Sequence, residues 1–225
     1  MIKITNVQKS YHPSKILDNI SLNIAPGEFV SIVGQSGTGK TTLMKLLIAE
    51  ERVDDGSVEI GGWDITNIGQ REVPFLRRQI GVIFQDFKLL PKKTLYENVS
   101  FALQVCGTTH KKIKTIVPQV LKIVGLEDKM DHYPHEISGG EQQRTAIARA
   151  LVHQPKVLLA DEPTGNLDAF NANEIINLLQ RINKFGTTVV LITHNREIVN
   201  MLKRRVITLD DGRVVSDQAH GKYLI

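Results

Sequence analysis

The sequence predicts an α/β fold, with a parallel core sheet, an antiparallel β layer and a helical subdomain, and three observations lead there. Four short β-branched or aliphatic runs, Phe29 to Val33, Ile80 to Phe84, Val157 to Ala160 and Val189 to Thr193, each give way to polar residues. Strands buried on both faces of a parallel sheet read as continuous apolar runs, and ligands bind outside their carboxyl ends. The opening third instead alternates, with Ile2, Ile4 and Val7, then Ile20, Leu22 and Ile24, then Val58 and Ile60, as an antiparallel layer does. Between the second and third core runs, residues from about 87 to 150 read mainly as helices, with Pro91, Gly107, Pro118, Gly125 and Pro134 as punctuation. One domain over 1–225 is therefore expected, with 1–86 and 151–225 forming the core and β layer and 87–150 the helical subdomain.

The segment Asn171 to Lys184 places Ile175, Ile176, Leu178, Leu179 and Ile182 on one helix face, and Gly186 is its expected stop. With 225 residues, 41% of them apolar and 23% charged, the chain can fill an ordinary globular core. No stretch approaches the roughly 18 to 20 apolar residues that span a bilayer, and Met1 to Asn6 lacks the apolar block of a secretion signal, so a cytoplasmic location is expected. Cys106 is the single cysteine, which excludes an internal disulfide, and it reads as a small core or interface residue. The net charge of +4 is spread out, apart from Lys111-Lys112-Ile113-Lys114 and Lys203-Arg204-Arg205. Both clusters read as solvated helix faces, and no nucleic-acid partner is expected.

Gly34-Gln35-Ser36-Gly37-Thr38-Gly39-Lys40-Thr41 fits the phosphate-binding loop pattern at every fixed position, after the Phe29 to Val33 strand and before a helix expected over Thr41 to Ile48. Its glycines let backbone N–H groups turn toward phosphates, Lys40 reaches the β and γ phosphates, and the Thr41 hydroxyl can ligate Mg²⁺. Asp161 and Glu162 end a buried strand, where two adjacent carboxylates without a cation are unfavourable. A metal and a water explain both: Asp161 holds Mg²⁺ through its water shell, and Glu162 takes a proton from, or orients, the water attacking the γ-phosphate. Ser138 and Glu141 form a Ser-x-x-Glu capping box at the head of a helix running through Arg149. With Gly139 and Gly140 behind the cap, that helix start is a second anion site, best supplied by another subunit.

The phosphate loop, Gln85, Ser138-Gly139-Gly140-Glu141-Gln142, Asp161-Glu162, Asn166-Leu167-Asp168 and His194 stand in the order seen in ABC-type ATPase subunits, and the chain resembles that family along its whole length. The resemblance implies the ABC nucleotide-binding domain of the P-loop NTPase fold, ATP and Mg²⁺ as ligands, and a head-to-tail homodimer in the ATP-bound state. Gly34, Gln35, Ser36, Gly37, Thr38, Gly39, Lys40, Thr41 and Thr42 would hold the phosphates, with Tyr11 stacked on adenine. Ser138, Gly139, Gly140 and Glu141 would close the site in trans, while Thr41, Gln85 and Asp161 would attend the metal. Glu162, His194 and Lys40 would carry the catalysis, and Asp168 would join the two sites.

The stretch Arg71 to Asp86 resembles the cell-division branch of the family and is the discriminating one, while Asp161-Glu162-Pro163-Thr164-Gly165-Asn166-Leu167-Asp168 suits that branch and its lipoprotein-release and macrolide-export relatives alike. That branch implies an FtsX-like integral membrane partner, peripheral attachment to the cytoplasmic face of the membrane through it, and control of peptidoglycan hydrolysis. The rival implications are a lipoprotein-release or macrolide-type exporter subunit and an ATP-dependent scaffold with little turnover. The partner contact is expected near Gln85, where Phe87, Leu89, Leu90 and Tyr96 supply apolar groups, at least half of them as subdomain core. The departures are Ile137 for Leu, Glu141 for the more general Gln, Thr41 for Ser, and Asn195 where Asp is frequent after the histidine. Asn183-Lys184-Phe185-Gly186 lacks the final acid of a guanine-reading motif.

Overall fold

The computed structural model describes residues 1–221 and 223, so the last positions of the 1–225 span, 222, 224 and 225, lie outside the described residues. Among the described residues the strands run β1 (Ile2–Tyr11), β2 (Ser14–Ile24), β3 (Phe29–Val33), β4 (Asp55–Ile60), β5 (Trp63–Asp64), β6 (Ile80–Ile83), β7 (Val157–Asp161), β8 (Thr188–Ile192), β9 (Arg205–Asp210) and β10 (Arg213–Gln218). The helices are α1 (Lys40–Leu47), α2 (Val73–Arg77), α3 (Leu95–Val105), α4 (His110–Ile123), α5 (Gly139–Leu151), α6 (Ala169–Lys184) and α7 (Arg196–Leu202). One sheet is antiparallel, in the order β2-β1-β4-β5. The other runs β10-β9-β3-β8-β7-β6, parallel except for its β10 edge.

The two-residue period of a strand explains how the second sheet joins two cores. Leu158 and Ala160 of β7, with Phe29, Val189 and Leu191, face a cluster built from α3 to α6. Val157 and Leu159, with Val30, Ile32, Val190 and Ile192, face the opposite cluster of α1 and the antiparallel layer. Both faces are covered, so β3 and β8 are buried at every residue. The loops at the carboxyl ends of β3, β6, β7 and β8 therefore emerge at one rim, and all four carry polar residues.

Several element bounds differ from the sequence reading by a residue or two. Phe84 and Thr193 fall just beyond their strands, α1 begins at Lys40, and Asn171 to Lys184 extends back to Ala169. Gly186 does stop α6, with φ +100° and its N–H donating to Asn183 O at 2.8 Å. Pro118 is a correction: it lies inside α4 instead of breaking it. A proline inside a helix costs roughly 3 kcal/mol, and burial of Ile113, Val117 and Leu121 on one face offsets it.

Arg205 is a second correction. It opens β9 instead of lying on a solvated helix face, and it joins Asp217 (Nε to Oδ1 2.7 Å), Glu28 (2.9 Å) and Asn23 O (2.8 Å). The Lys111 to Lys114 cluster does lie on a helix, with its lysines exposed and Ile113 buried. Cys106 is half-buried at the end of α3.

The helical region opens on a built cap. Thr94 Oγ1 accepts from Glu97 N at 3.2 Å, and Glu97 Oε2 accepts from Thr94 N at 2.9 Å. One turn on, the fully buried Asn98 accepts from Leu90 N (2.7 Å) and donates to Leu90 O, Lys93 O and Thr94 O at 2.9 to 3.1 Å. Asn98 thus ties the 90–94 loop to α3. Asn98→Ala removes that amide and strands buried partners, so urea unfolding should show a loss of about 2–4 kcal/mol.

Candidate nucleotide site

The phosphate loop leaves β3 and enters α1 through Gly39, whose φ of 95° favours glycine. A Cβ there would also meet Leu17 Cδ2 at 2.5 Å and Ile16 O at 2.8 Å, so the β layer packs on the loop from outside. Lys40 is buried, and its Nζ donates to Gly34 O at 2.8 Å and Gln35 O at 2.7 Å. A cavity of 780 Å³ opens over this loop. It brings together Tyr11, Gln35, Ser36, Gly37, Gly39, Lys40, Thr41, Thr42, Gln85, Asp161, Glu162 and His194. Gly34 and Thr38 of the expected set lie off that wall; the Thr38 hydroxyl donates to Gln35 O at 2.9 Å and braces the loop. Ser138, Gly139, Gly140 and Glu141 lie off it as well.

Opposite charges line this cavity under strain from burial. Desolvation lowers the Lys40 pKa, against the pull of Glu162 and Asp161. Desolvation raises the Asp161 pKa, and the neighbouring Glu162 charge adds to it. Each ion is short of counter-charge, which a polyanion carrying a divalent cation supplies. Among the described residues no group of three or more His, Cys, Asp or Glu side chains could hold a metal ion. The Thr41 hydroxyl, the Gln85 amide and the Asp161 carboxylate are all oxygen donors on this wall, and they suit a hard cation completed by phosphate and water.

Glu162 stands at the end of β7 in left-handed backbone (φ 46°), its N–H donating to Ile192 O at 2.9 Å. That turn lays the carboxylate against the end of β8. Oε1 accepts from His194 N at 2.9 Å and lies 2.6 Å from His194 Nδ1, while Oε2 accepts from the Thr193 hydroxyl at 3.0 Å. Glu162 is thus held at both oxygens, and the exposed His194 ring is tied to it. Thr193 was not singled out from the sequence; a hydroxyl between a buried strand and His194 was its only signal. Asn195 caps α7, its Oδ1 accepting from Ile198 N at 3.2 Å, a bond that an Asp could make equally well, so the cap does not account for the departure.

Beyond the cavity the other motifs are mechanically joined to it. Asn166 Nδ2 donates to Gln85 O at 3.1 Å. The buried Gln143 of α5 donates to Pro163 O at 2.7 Å. Phe87 and Lys88 both have positive φ, a strain of about 1–3 kcal/mol each. Arg149 of α5 holds that turn, donating to Phe87 O at 2.8 Å and Lys88 O at 2.6 Å. Sequence reasoning missed Arg149 and Gln143, polar positions on a largely buried helix face. Ser138 caps α5 within its capping box, and a Cβ on Gly140 would collide with the Asn171 side chain. Asp168 caps α6 through Asn171 N (2.9 Å) and Asn171 Nδ2 (2.6 Å). The helix start at Ser138 and the Asp168 loop are therefore packed together through Asn171.

Residues 17–165 match the model of the ABC transporter family. The chain belongs to the ABC transporter family. Its relatives include the cell division ATP-binding protein FtsE of Streptococcus pneumoniae D39, 51% identical over 99% of this chain and 97% of that protein. FtsE of Bacillus subtilis 168 is 50% identical, over 99% and 98%. Among solved structures, the ATP-binding cassette MJ0796, dimeric and bound to ADP and Pi after hydrolysis, superposes with a TM-score of 0.88 at 35% identity, covering 99% of this chain and all of that one. The chain is an ATPase subunit of the ABC type, closely resembling FtsE.

Proposed function

We propose that this chain is the ATP-hydrolysing subunit of an FtsE/FtsX-like cell-division complex, in which ATP-driven dimerisation moves a membrane partner that controls peptidoglycan hydrolysis. The FtsE names of its near full-length relatives support the process. At the nucleotide, the phosphate loop and Lys40 bind the triphosphate, with Tyr11 stacked on adenine. Thr41, Gln85 and Asp161 attend Mg²⁺, which polarises the phosphates when bound. Glu162 orients and deprotonates the attacking water, and His194 contacts the γ-phosphate. Ser138 to Glu141 close the site of a second copy, a reading supported by their place off the cavity wall of their own chain. The core at 1–86 and 151–225 holds the nucleotide, and the helical region at 87–150 carries the closing helix.

The observation that carries the coupling is a 640 Å³ groove beside the Phe87-Lys88 turn. Val73, Pro74, Phe84, Leu90, Phe101 and Val105 make it apolar, and Arg77, Arg78, Lys88 and Arg149 edge it with positive charge. Phe101 and Val105 are 48% and 63% exposed, an unusual state for two large apolar groups four residues apart on one helix. Of the apolar groups expected to supply the partner contact near Gln85, Leu90 lines this groove, whereas Tyr96 packs on the helical core. An amphipathic cytoplasmic segment of an FtsX-like protein fits the groove. It would pull on the turn that Arg149 and Gln85 share with the active site, and hold the chain peripherally on the cytoplasmic face of the membrane.

The test is capture of the membrane partner from detergent-solubilised membranes by tagged chain in ATP and Mg²⁺. Phe101→Asp with Val105→Asp should lower recovery of an FtsX-like protein at least about tenfold while the free chain hydrolyses ATP at its usual rate. Undiminished recovery would refute the groove. An exporter or lipoprotein-release permease in its place would overturn the process.

A further inference from the structure

The acid at position 141 raises an electrostatic difficulty that its surroundings answer. Glu141 is the third residue of α5, at the helix end that offers its N–H groups to an anion, and a carboxylate there repels the phosphates that the end would attract. Lys129, the last residue of the 3-10 turn Glu127–Lys129, places Nζ 2.5 Å from Glu141 Oε1. The other oxygen accepts from Ser138 N at 2.9 Å and from the Ser138 hydroxyl at 3.0 Å. The Glu141 side chain is only 15% exposed, so water screens it weakly. Lys129 first, then Ser138, hold its carboxyl down to about 2, so it is ionised at neutral pH.

We propose that Lys129 is a positioning residue of the nucleotide site: its ammonium cancels the Glu141 charge, so that the Ser138 to Gly140 helix start can close on the triphosphate bound by a second copy. This rests on the reading that this helix faces the nucleotide in trans. The Ser138 hydroxyl has one proton, directed at Glu141 in the structure. When it turns to a phosphate oxygen, Lys129 and the Ser138 N–H still satisfy both oxygens of Glu141. A neutral Gln at 141 would need no such cation.

Steady-state ATP hydrolysis by the full chain tests this. Lys129→Met should raise KM for ATP about tenfold with kcat within about twofold, because the repulsion acts alike on bound ATP and on the transition state. Lys129→Gln, which keeps a hydrogen bond but no charge, should do the same. Adding Glu141→Gln to either should lower KM again by at least about fivefold, and Lys129→Arg should keep KM well below that of the neutral variants. An unchanged KM in both neutral variants, or a rise that Glu141→Gln does not relieve, overturns the inference. Mixing Ser138→Arg with Lys40→Ala chains separates it from its premise. Recovery of turnover there with an unchanged Lys129→Met KM sinks Lys129 alone, whereas no recovery removes the shared site and this inference with it.

Discussion

Glu162→Gln should slow ATP turnover by about 10²–10⁴-fold and leave ATP bound, because in the proposed mechanism it removes the proton acceptor and little else. An amide oxygen can still accept from the Thr193 hydroxyl or the His194 N–H, the bonds made by the carboxylate at 3.0 and 2.9 Å. The left-handed turn at Glu162 is anchored by backbone to Ile192 O, which the substitution does not touch. In the proposed site, nucleotide affinity rests instead on the phosphate loop and Lys40. A quenched-flow single turnover should therefore show a slow chemical step after normal binding. Turnover within a few-fold of the unsubstituted chain would remove Glu162 from the role of base and leave Asp161 or the nucleotide itself to activate water.

Ser138→Arg and Lys40→Ala should each abolish hydrolysis alone, and an equal mixture should recover about a quarter of full turnover. The fraction follows from two-fold symmetry. Random pairing makes half the dimers mixed, and each mixed dimer has one site with both Lys40 and Ser138 intact. The other site carries both lesions. In the proposed dimer, an Arg at the helix N-cap would fill the approach to the phosphates, and Lys40→Ala would remove the ammonium that faces them. Steady-state release of phosphate against mixing ratio should peak near equal amounts. Activity that never exceeds that of the separate variants would mean that each chain completes its own site.

Residues whose chemistry is local were legible in the sequence. The phosphate loop could be read because its spacing of glycines and its strand and helix neighbours leave few other uses for Lys40 and Thr41. The capping box at Ser138 was legible for the same reason, since a cap is a bond between residues three apart. The antiparallel layer followed from alternation, and the core strands from their unbroken apolar runs. Contacts that join distant segments were not legible. Arg149 reaches Phe87 and Lys88 across some sixty residues, and Thr193 reaches Glu162 across about thirty.

Two errors have a simple origin. Pro118 was read by its local propensity, which tertiary burial of Ile113, Val117 and Leu121 overrides. Lys203-Arg204-Arg205 was read as a run of charge, although Asp210-Asp211-Gly212 between Val206 to Leu209 and Val214 to Val215 is a hairpin signal that places Arg205 at the start of a strand. The groove was missed because α3 is apolar on two faces. Leu95, Val99 and Leu103 account for the core, and Phe101 and Val105 form a second stripe that the core does not need.

The central claim is that two copies of this chain enclose the nucleotide between them. Light scattering on Glu162→Gln, titrated with ATP and Mg²⁺, tests it most directly. The account predicts that the mass rises from 25.2 kDa to twice that value as the sites fill, and falls back when ADP replaces ATP. A mass that stays at 25.2 kDa while ATP is bound would contradict it.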